Sequence, residues 1–287
     1  MNPEKIKNLI ETEQKLAEYQ GDDQVISSHD MRDKIKEAPI NENHIFSSMP
    51  SIDKYIEGFI GGELIVIAGA TGMGKSLLAQ SFTQNFSDQN ILSLWFTYEM
   101  QPKYFFQRFE KLPLFYLPSM LKDKSMEWIE ERIVEAKVKY GVQAIMIDHL
   151  HYLIDMGRIS NASLEIGQVV RDLKLIALRN NLIIFLLCHL TKTKQFDEVS
   201  LSDIRDSSLI AQEADTVMLI WRVDEDIESN TSIVKIDKQR RTGAINKKTK
   251  LVFDLGILKE IGDETYKVEK MEQVSAELND DINNLDK

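Results

Sequence analysis

At 287 residues, with 43% hydrophobic and 28% charged residues, the chain has room for one large domain with appendages or two small ones, and enough apolar content for a substantial core. Its one cysteine, Cys188, lies in the apolar run 182–188, which excludes a disulfide framework or a multi-cysteine zinc module within the chain and is too short to span a bilayer. A net charge of −11 argues against a generic basic nucleic-acid coat but leaves room for DNA contacts through local loops lining a channel, and the start Met1-Asn2-Pro3-Glu4-Lys5 has no apolar signal core, so a cytoplasmic location is expected.

Residues 1 to about 45 read as a polar, helical preface. Ile6, Leu9, Ile10 and Leu16 give a narrow apolar stripe, Gln20-Gly21-Asp22-Asp23 ends that helix, and a second short helix is predicted near 29–37. The preface has too few apolar residues for a core of its own, so it is expected to lie on its own domain or on a neighbouring subunit.

From about 46 to 262 the pattern alternates strand and helix, as in an α/β domain with a mainly parallel sheet and crossover helices. Strands are predicted at 63–68, 91–97, 142–147, 182–188 and 215–221, and helices at about 75–86, 101–111, 123–140, 161–180 and 202–213. Two further strands, 231–237 and 248–254, form a predicted hairpin at the sheet edge. The tail 263–287 is acidic and poor in apolar residues, so it is expected to be flexible or loosely helical.

The first strand runs into Gly69-Ala70-Thr71-Gly72-Met73-Gly74-Lys75-Ser76, which matches G-x-x-x-x-G-K-[ST]. The spacing has a mechanism. Glycines let backbone N–H groups turn inward around phosphate oxygens, Lys75 reaches the outer phosphates, Ser76 offers a hydroxyl to Mg²⁺, and the following helix aims its positive end at the anion. The chain is therefore expected to bind ATP or another nucleoside triphosphate with Mg²⁺.

Three strand ends extend this site. Val142-Gln143-Ala144-Ile145-Met146-Ile147 leads to Asp148, an acid placed to hold Mg²⁺ beside the loop. The next residue is His149, where many P-loop motors carry the catalytic carboxylate, so the base must come from elsewhere. The strand 91–97 leads to Glu99, whose position at the same crevice makes it the candidate general base. The strand 182–188 leads to His189, within expected reach of a γ-phosphate. A basic cluster, Lys238-Gln239-Arg240-Arg241, ends the first hairpin strand. In a ring, Arg240 there would reach a neighbouring subunit's nucleotide as an arginine finger.

Taken together, Gly69 to Ser76, the strand ending in Glu99, Ile145-Met146-Ile147-Asp148, Ser202-Asp203-Ile204-Arg205-Asp206-Ser207-Ser208 and Lys238-Gln239-Arg240 resemble the helicase domain of hexameric replicative DNA helicases, with a RecA-like fold, over roughly residues 45–260. Lys-x-Arg is similar to the bacterial DnaB pattern, while His189 followed by Leu-Thr-Lys is more similar to phage primase–helicases and mitochondrial Twinkle. The resemblance implies that Lys75, Ser76 and Asp148 hold MgATP, that Glu99 activates water, that His189 senses phosphate, and that Lys238 and Arg240 act in trans. It further places Arg222 and Phe253 beside the base, and Lys192, Lys194 and Arg205 toward single-stranded DNA in the channel of a homo-hexamer or related ring. It implies a bacterial or phage origin and 5′→3′ movement, makes the preface a linker that packs on the adjacent subunit, and offers the acidic tail as a contact for replication proteins. No zinc module, primase domain or collar domain is recognisable. Three readings stay open on the residues alone: a ring helicase, a RecA- or KaiC-like ATPase without unwinding activity, and a loader or interaction protein that retains ATP binding.

Overall fold

The computed structural model describes residues 11–21, 24–37, 44–154, 162–190, 198–204, 207–222 and 230–260. The chain divides into two units, Met1–Glu42 and Asn43–Lys287. In the first, residues 11–17 are helical and helix α1 covers Ser28–Glu37 with none of its residues buried. A reciprocal cap starts α1: the Asp30 N–H donates to Ser27 Oγ at 3.0 Å, and the Ser27 N–H donates back to Asp30 Oδ2 at 3.3 Å. Ile6, Leu9 and Ile10, expected on the first helix, lie outside the described residues, as does the acidic tail.

The second unit is an α/β domain built on one sheet. Its helices are α2 (Pro50–Ile56), α3 (Lys75–Asp88), α4 (Pro102–Phe106), α5 (Met126–Tyr140), α6 (Ala162–Asn180) and α7 (Ser207–Glu213), and its strands are β1 (Leu64–Gly69), β2 (Ser93–Thr97), β3 (Ala144–Asp148), β4 (Ile183–His189), β5 (Thr216–Arg222), β6 (Thr231–Gln239), β7 (Lys247–Asp254) and β8 (Ile257–Glu260). The strand order is β2-β3-β4-β1-β5-β6-β7-β8. The five strands from β2 to β5 pair in parallel, and β6, β7 and β8 add antiparallel. All residues of β1, β2 and β3 are buried, as expected of a parallel sheet covered on both faces.

Strand alternation sorts the core into two layers. Leu64, Val66, Ile145, Ile147, Ile184 and Leu186 face Ile129 and Ile133 of α5 and Val170, Leu173 and Ile176 of α6. Ile65, Ile67, Met146, Phe185 and Leu187 face Leu78, Phe82 and Phe86 of α3 and Ile52 and Ile56 of α2. The second layer centres on Phe59, Phe82, Phe86 and Phe185, all fully buried, with Phe59 and Phe185 at 4.9 Å between centroids. Burying each such ring contributes roughly 1.5–3 kcal/mol. Trp95, also buried, satisfies its indole N–H on Thr83 Oγ1 at 2.9 Å. Ser125 caps α5 at its start, and Gly141, with φ 70°, closes its end.

Three sequence expectations are corrected. The β6–β7 hairpin is not the sheet edge, because β8 pairs outside it. The turn before β8 holds Leu255 (φ 47°) and Gly256 (φ 81°), the two positive-φ positions of a tight hairpin, and the strand is only four residues long. The helix predicted at 101–111 ends at Phe106. Beyond it Phe109 and Phe115 pack on Phe105 at 5.6 and 5.8 Å, so aromatic packing turns the chain out of the helical path. The helix predicted at 202–213 is a 3₁₀ turn, Leu201–Asp203, followed by α7. Between them Ile204 pairs with Leu190 in extended conformation, which interrupts any continuous helix.

Candidate active site

Parallel pairing brings four chain segments to one edge of the sheet. Gly69 pairs with His189, and Thr97 pairs with Asp148, so the carboxyl ends of β1, β4, β2 and β3 meet there. Ligands of open α/β sheets bind outside such ends, where the connections diverge to either side. Here β1 connects to β2 on one side of it in the sheet, while β5 lies on the other.

The loop after β1 is shaped for close backbone approach. A Cβ on Gly69 would stand 2.6 Å from the Ile220 carbonyl oxygen, so no larger residue fits. Gly72 and Gly74 have φ of 79° and 103°, and Gly74 is the N-cap of α3. Lys75, at the start of that helix, is buried, and its Nζ donates to the carbonyls of Gly69 at 2.9 Å and Ala70 at 3.0 Å and to His189 Nδ1 at 3.1 Å. Burial pulls its pKa down, and the nearby Asp148 and Glu99 carboxylates pull it back up.

Ser76 Oγ donates to Asp148 Oδ2 at 2.8 Å. The other carboxylate oxygen, Asp148 Oδ1, is buried without a hydrogen-bond partner. Burial pushes the pKa of Asp148 up, against the Ser76 hydrogen bond. A hydroxyl and a carboxylate with an orphaned hard oxygen fit a hard dication such as Mg²⁺, which favours oxygen ligands. Glu99 and His189 flank this pair. His149 Nδ1 lies 3.1 Å from Glu99 Oε2 and 3.3 Å from His189 Nε2. The ligand atoms of Glu99, His149 and His189 fall within 4.8 Å of one another, close enough to share one cation. Burial, then the Lys75 charge and His149, push the His189 pKa down to about 4, so it is neutral near pH 7.

Arg222 ends β5 opposite Ser232, and the Phe253 N–H donates to the Asn230 carbonyl at 2.8 Å. Because β7 runs parallel to β5, both residues stand at the P-loop edge of the sheet, and Phe253 is 36% exposed. Lys238 and Arg240 do not. They close β6 at the opposite edge, where the Arg240 N–H donates to the Asp215 carbonyl and the Asp215 N–H to the Leu64 carbonyl. From Leu64 to Gly69 the strand rises about 16 Å. Lys238 Nζ donates to the Ala211 and Ala214 carbonyls, each at 2.5 Å, and Arg240 donates to the Gln212 carbonyl at 2.6 Å and pairs with Asp215 at 3.2 Å. Within one chain these cations cap the end of α7. Lys192, Lys194 and Arg205 lie outside the described residues.

Sequence reasoning missed His149 as part of the site. It registered only as the absence of a carboxylate after Asp148, yet that position is the one that faces both Glu99 and His189.

The sequence profile of the DnaB-like helicase C terminal domain family matches residues 45–112 and 110–259. The chain belongs to that family. It is 22% identical over 263 residues to a DNA helicase/primase of Enterobacteria phage T3, covering 77% of this chain and 46% of the relative. It is 26% identical over 235 residues to the replicative DNA helicase DnaB of Rickettsia conorii, covering 66% of this chain and 48% of that one. The chain thus spans about half the length of these curated relatives. Among solved structures, one described as an ATPase domain superposes with TM-score 0.68 at 21% identity, covering 82% of this chain and 97% of that one. A DnaB-like replicative helicase described with its primase interactions superposes with TM-score 0.67 at 21% identity, covering 90% and 72%. These likenesses carry the RecA-like DnaB-type fold.

The strained charge at Asp148 gives a stability prediction for this family member. Its carboxyl pKa is raised in the folded state, so the folded protein holds a disfavoured charge at neutral pH, and the penalty disappears as pH falls below the unfolded value. Asp148→Asn should raise the melting temperature of the nucleotide-free protein at pH 7 by on the order of a few degrees. Thermal denaturation followed by circular dichroism checks this, and a lower melting temperature would contradict it.

Proposed function

We propose that this chain is the motor domain of an ATP-driven replicative DNA helicase that assembles as a ring, moves along single-stranded DNA and unwinds duplex. The observation that carries the reading is the division of labour across the sheet. Lys75, Ser76, Asp148, Glu99 and His189 gather at one edge, while Lys238 and Arg240 sit at the other, out of reach of their own loop. Family membership favours the same reading.

In this scheme the P-loop N–H groups and the α3 N-terminus receive the phosphates of ATP, and Lys75 leaves the Gly69 and Ala70 carbonyls to pair with them. Ser76 and Asp148 hold Mg²⁺, which neutralises phosphate charge when bound. Glu99 takes the proton of the attacking water, and His189 lies where it senses the γ-phosphate. Arg222 and Phe253, at the same edge, flank the base. Arg240, with Lys238, releases the end of α7 and reaches the nucleotide of the adjacent subunit. Lys192, Lys194 and Arg205 contact DNA phosphates without regard to sequence. The first unit packs on a neighbouring subunit, for which the exposed Met31 and Ile35, one helical turn apart, supply apolar surface. Movement is 5′→3′, replication proteins meet the acidic tail, and the site of action is the cytoplasm of a bacterium or an infected cell. Among the described residues, no helix is long and apolar enough to cross a membrane.

The test is strand displacement on forked DNA with ATP, paired with solution mass. A ring that unwinds the fork, with ATPase stimulated by single strands, is expected. A filament, or stimulation without unwinding, would support the RecA- or KaiC-like alternative instead. Glu99→Gln should keep nucleotide binding and lose about 10²–10⁴ in hydrolysis.

The interface makes a separate prediction. Arg240→Ala should keep nucleotide affinity and lose on the order of 10³ in hydrolysis, because the developing γ-phosphate charge loses its guanidinium. Mixing it with Lys75→Ala protein should restore part of the ATPase, since some interfaces then pair an intact loop with an intact Arg240. Full ATPase activity in Arg240→Ala alone would refute the assignment.

A further inference from the structure

His149 is a buried group at this site that the proposed chemistry leaves unused. Its side chain is 10% exposed. One of its atoms, Nδ1, faces two partners: Glu99 Oε2 at 3.1 Å and His189 Nε2 at 3.3 Å. Three rings and a carboxylate pack around it. The His189 ring stands edge-on at 4.1 Å between centroids, Tyr152 packs at 4.8 Å, His151 at 5.7 Å, and the Asp148 carboxylate lies 3.9 Å from Nδ1. Lys75 stands behind His189, on its Nδ1.

An imidazole nitrogen either carries a hydrogen and donates or carries a lone pair and accepts. That rule sets up a choice. The Lys75 ammonium only donates, so His189 Nδ1 must accept from it. Neutral His189 then carries its hydrogen on Nε2 and donates to His149 Nδ1. In that state His149 Nδ1 presents a lone pair, and the Glu99 carboxylate, which only accepts, gains no hydrogen bond from it. Once Lys75 turns to a phosphate, His189 Nδ1 is released and the chain of donors can reverse. His189 then carries its hydrogen on Nδ1 and a lone pair on Nε2, and His149 gives up its Nε2 hydrogen and takes one on Nδ1, each ring keeping one hydrogen and no charge, so that His149 donates to Glu99.

We propose that His149 is the positioning residue that couples the phosphate sensor to the base, giving its Nδ1 to His189 while Lys75 rests on its own loop and to Glu99 when a triphosphate draws Lys75 away. The inference rests on the reading of Glu99 as base and His189 as sensor. It adds a reason why hydrolysis waits for a seated γ-phosphate: Glu99 is oriented only when Lys75 is engaged.

Two variants and one double mutant test it. His149→Phe keeps a ring against Tyr152 and His189 but removes both nitrogens. His149→Asn keeps a polar atom close to the place of Nδ1. In the full chain, with equal thermal melts as a check on folding, His149→Phe should lower kcat by about 10-fold or more while the affinity for a fluorescent non-hydrolysable ATP analogue stays within about twofold. His149→Asn should recover most of the rate. In a Glu99→Gln background, His149→Phe should cost nothing further, because it acts through Glu99. An unchanged kcat in His149→Phe, an Asn variant as slow as Phe, or an analogue affinity that falls in step with kcat would each overturn the coupling. If Glu99→Gln itself hydrolyses ATP at the parent rate, the base assignment falls and the coupling falls with it. If Glu99→Gln is inactive and His149→Phe is unimpaired, the coupling alone is wrong.

Discussion

The structure turns on one buried cation. Lys75 is held at the head of α3 by the two carbonyls of its own loop and by the imidazole of His189. All three are neutral acceptors, and burial disfavours the ammonium they hold. An anion arriving at the loop offers this charge a better partner than a carbonyl does. The cleft is therefore poised rather than relaxed: Lys75 hydrogen-bonds only neutral groups, and Asp148, across from it, carries an orphaned oxygen. A magnesium-bound polyphosphate would satisfy both.

The rest of the domain keeps that cleft in register. Because β1, β3 and β4 pair in parallel, the loop, Asp148 and His189 cannot drift apart without breaking ladder hydrogen bonds and the apolar layers on both faces. The opposite edge has its own anchor in Asp215. Its side chain accepts from the Leu64 N–H at 2.8 Å and from Lys174 at 2.6 Å, and it pairs with Arg240. Asp215 thus ties the foot of β1 to α6 and to the end of β6. The contacts of Arg240 thus lead through Asp215 to the strand whose far end is the 69–76 loop.

Most of this was legible in the sequence because its chemistry is local. The glycine spacing of residues 69–76 dictates a loop, apolar runs ending in Asp148 and His189 dictate strand ends, and the helix predicted at about 161–180 is α6. What escaped depends on contacts distant in sequence or on short elements. Strand β8 is four residues long and pairs only through a tight turn at Leu255-Gly256. Helix α4 stops where Phe105, Phe109 and Phe115 find one another, a tertiary preference that overrides the helical pattern. His149 matters through groups 40 and 50 residues away. The capping of α7 by Lys238 and Arg240 was likewise invisible, although the sequence did place these cations at the end of a strand.

The central claim is that the catalytic constellation is completed by a second copy of the chain. A cryo-electron microscopy reconstruction of the assembled protein with single-stranded DNA and a non-hydrolysable triphosphate tests it most directly. The account predicts a nucleotide at each closed interface, with Lys75 on its phosphates and a neighbour's Arg240 within ion-pair distance of the γ-phosphate. Arg240 still bonded to its own Gln212 carbonyl at every nucleotide-filled site, with no side chain from another subunit near the phosphates, would contradict it.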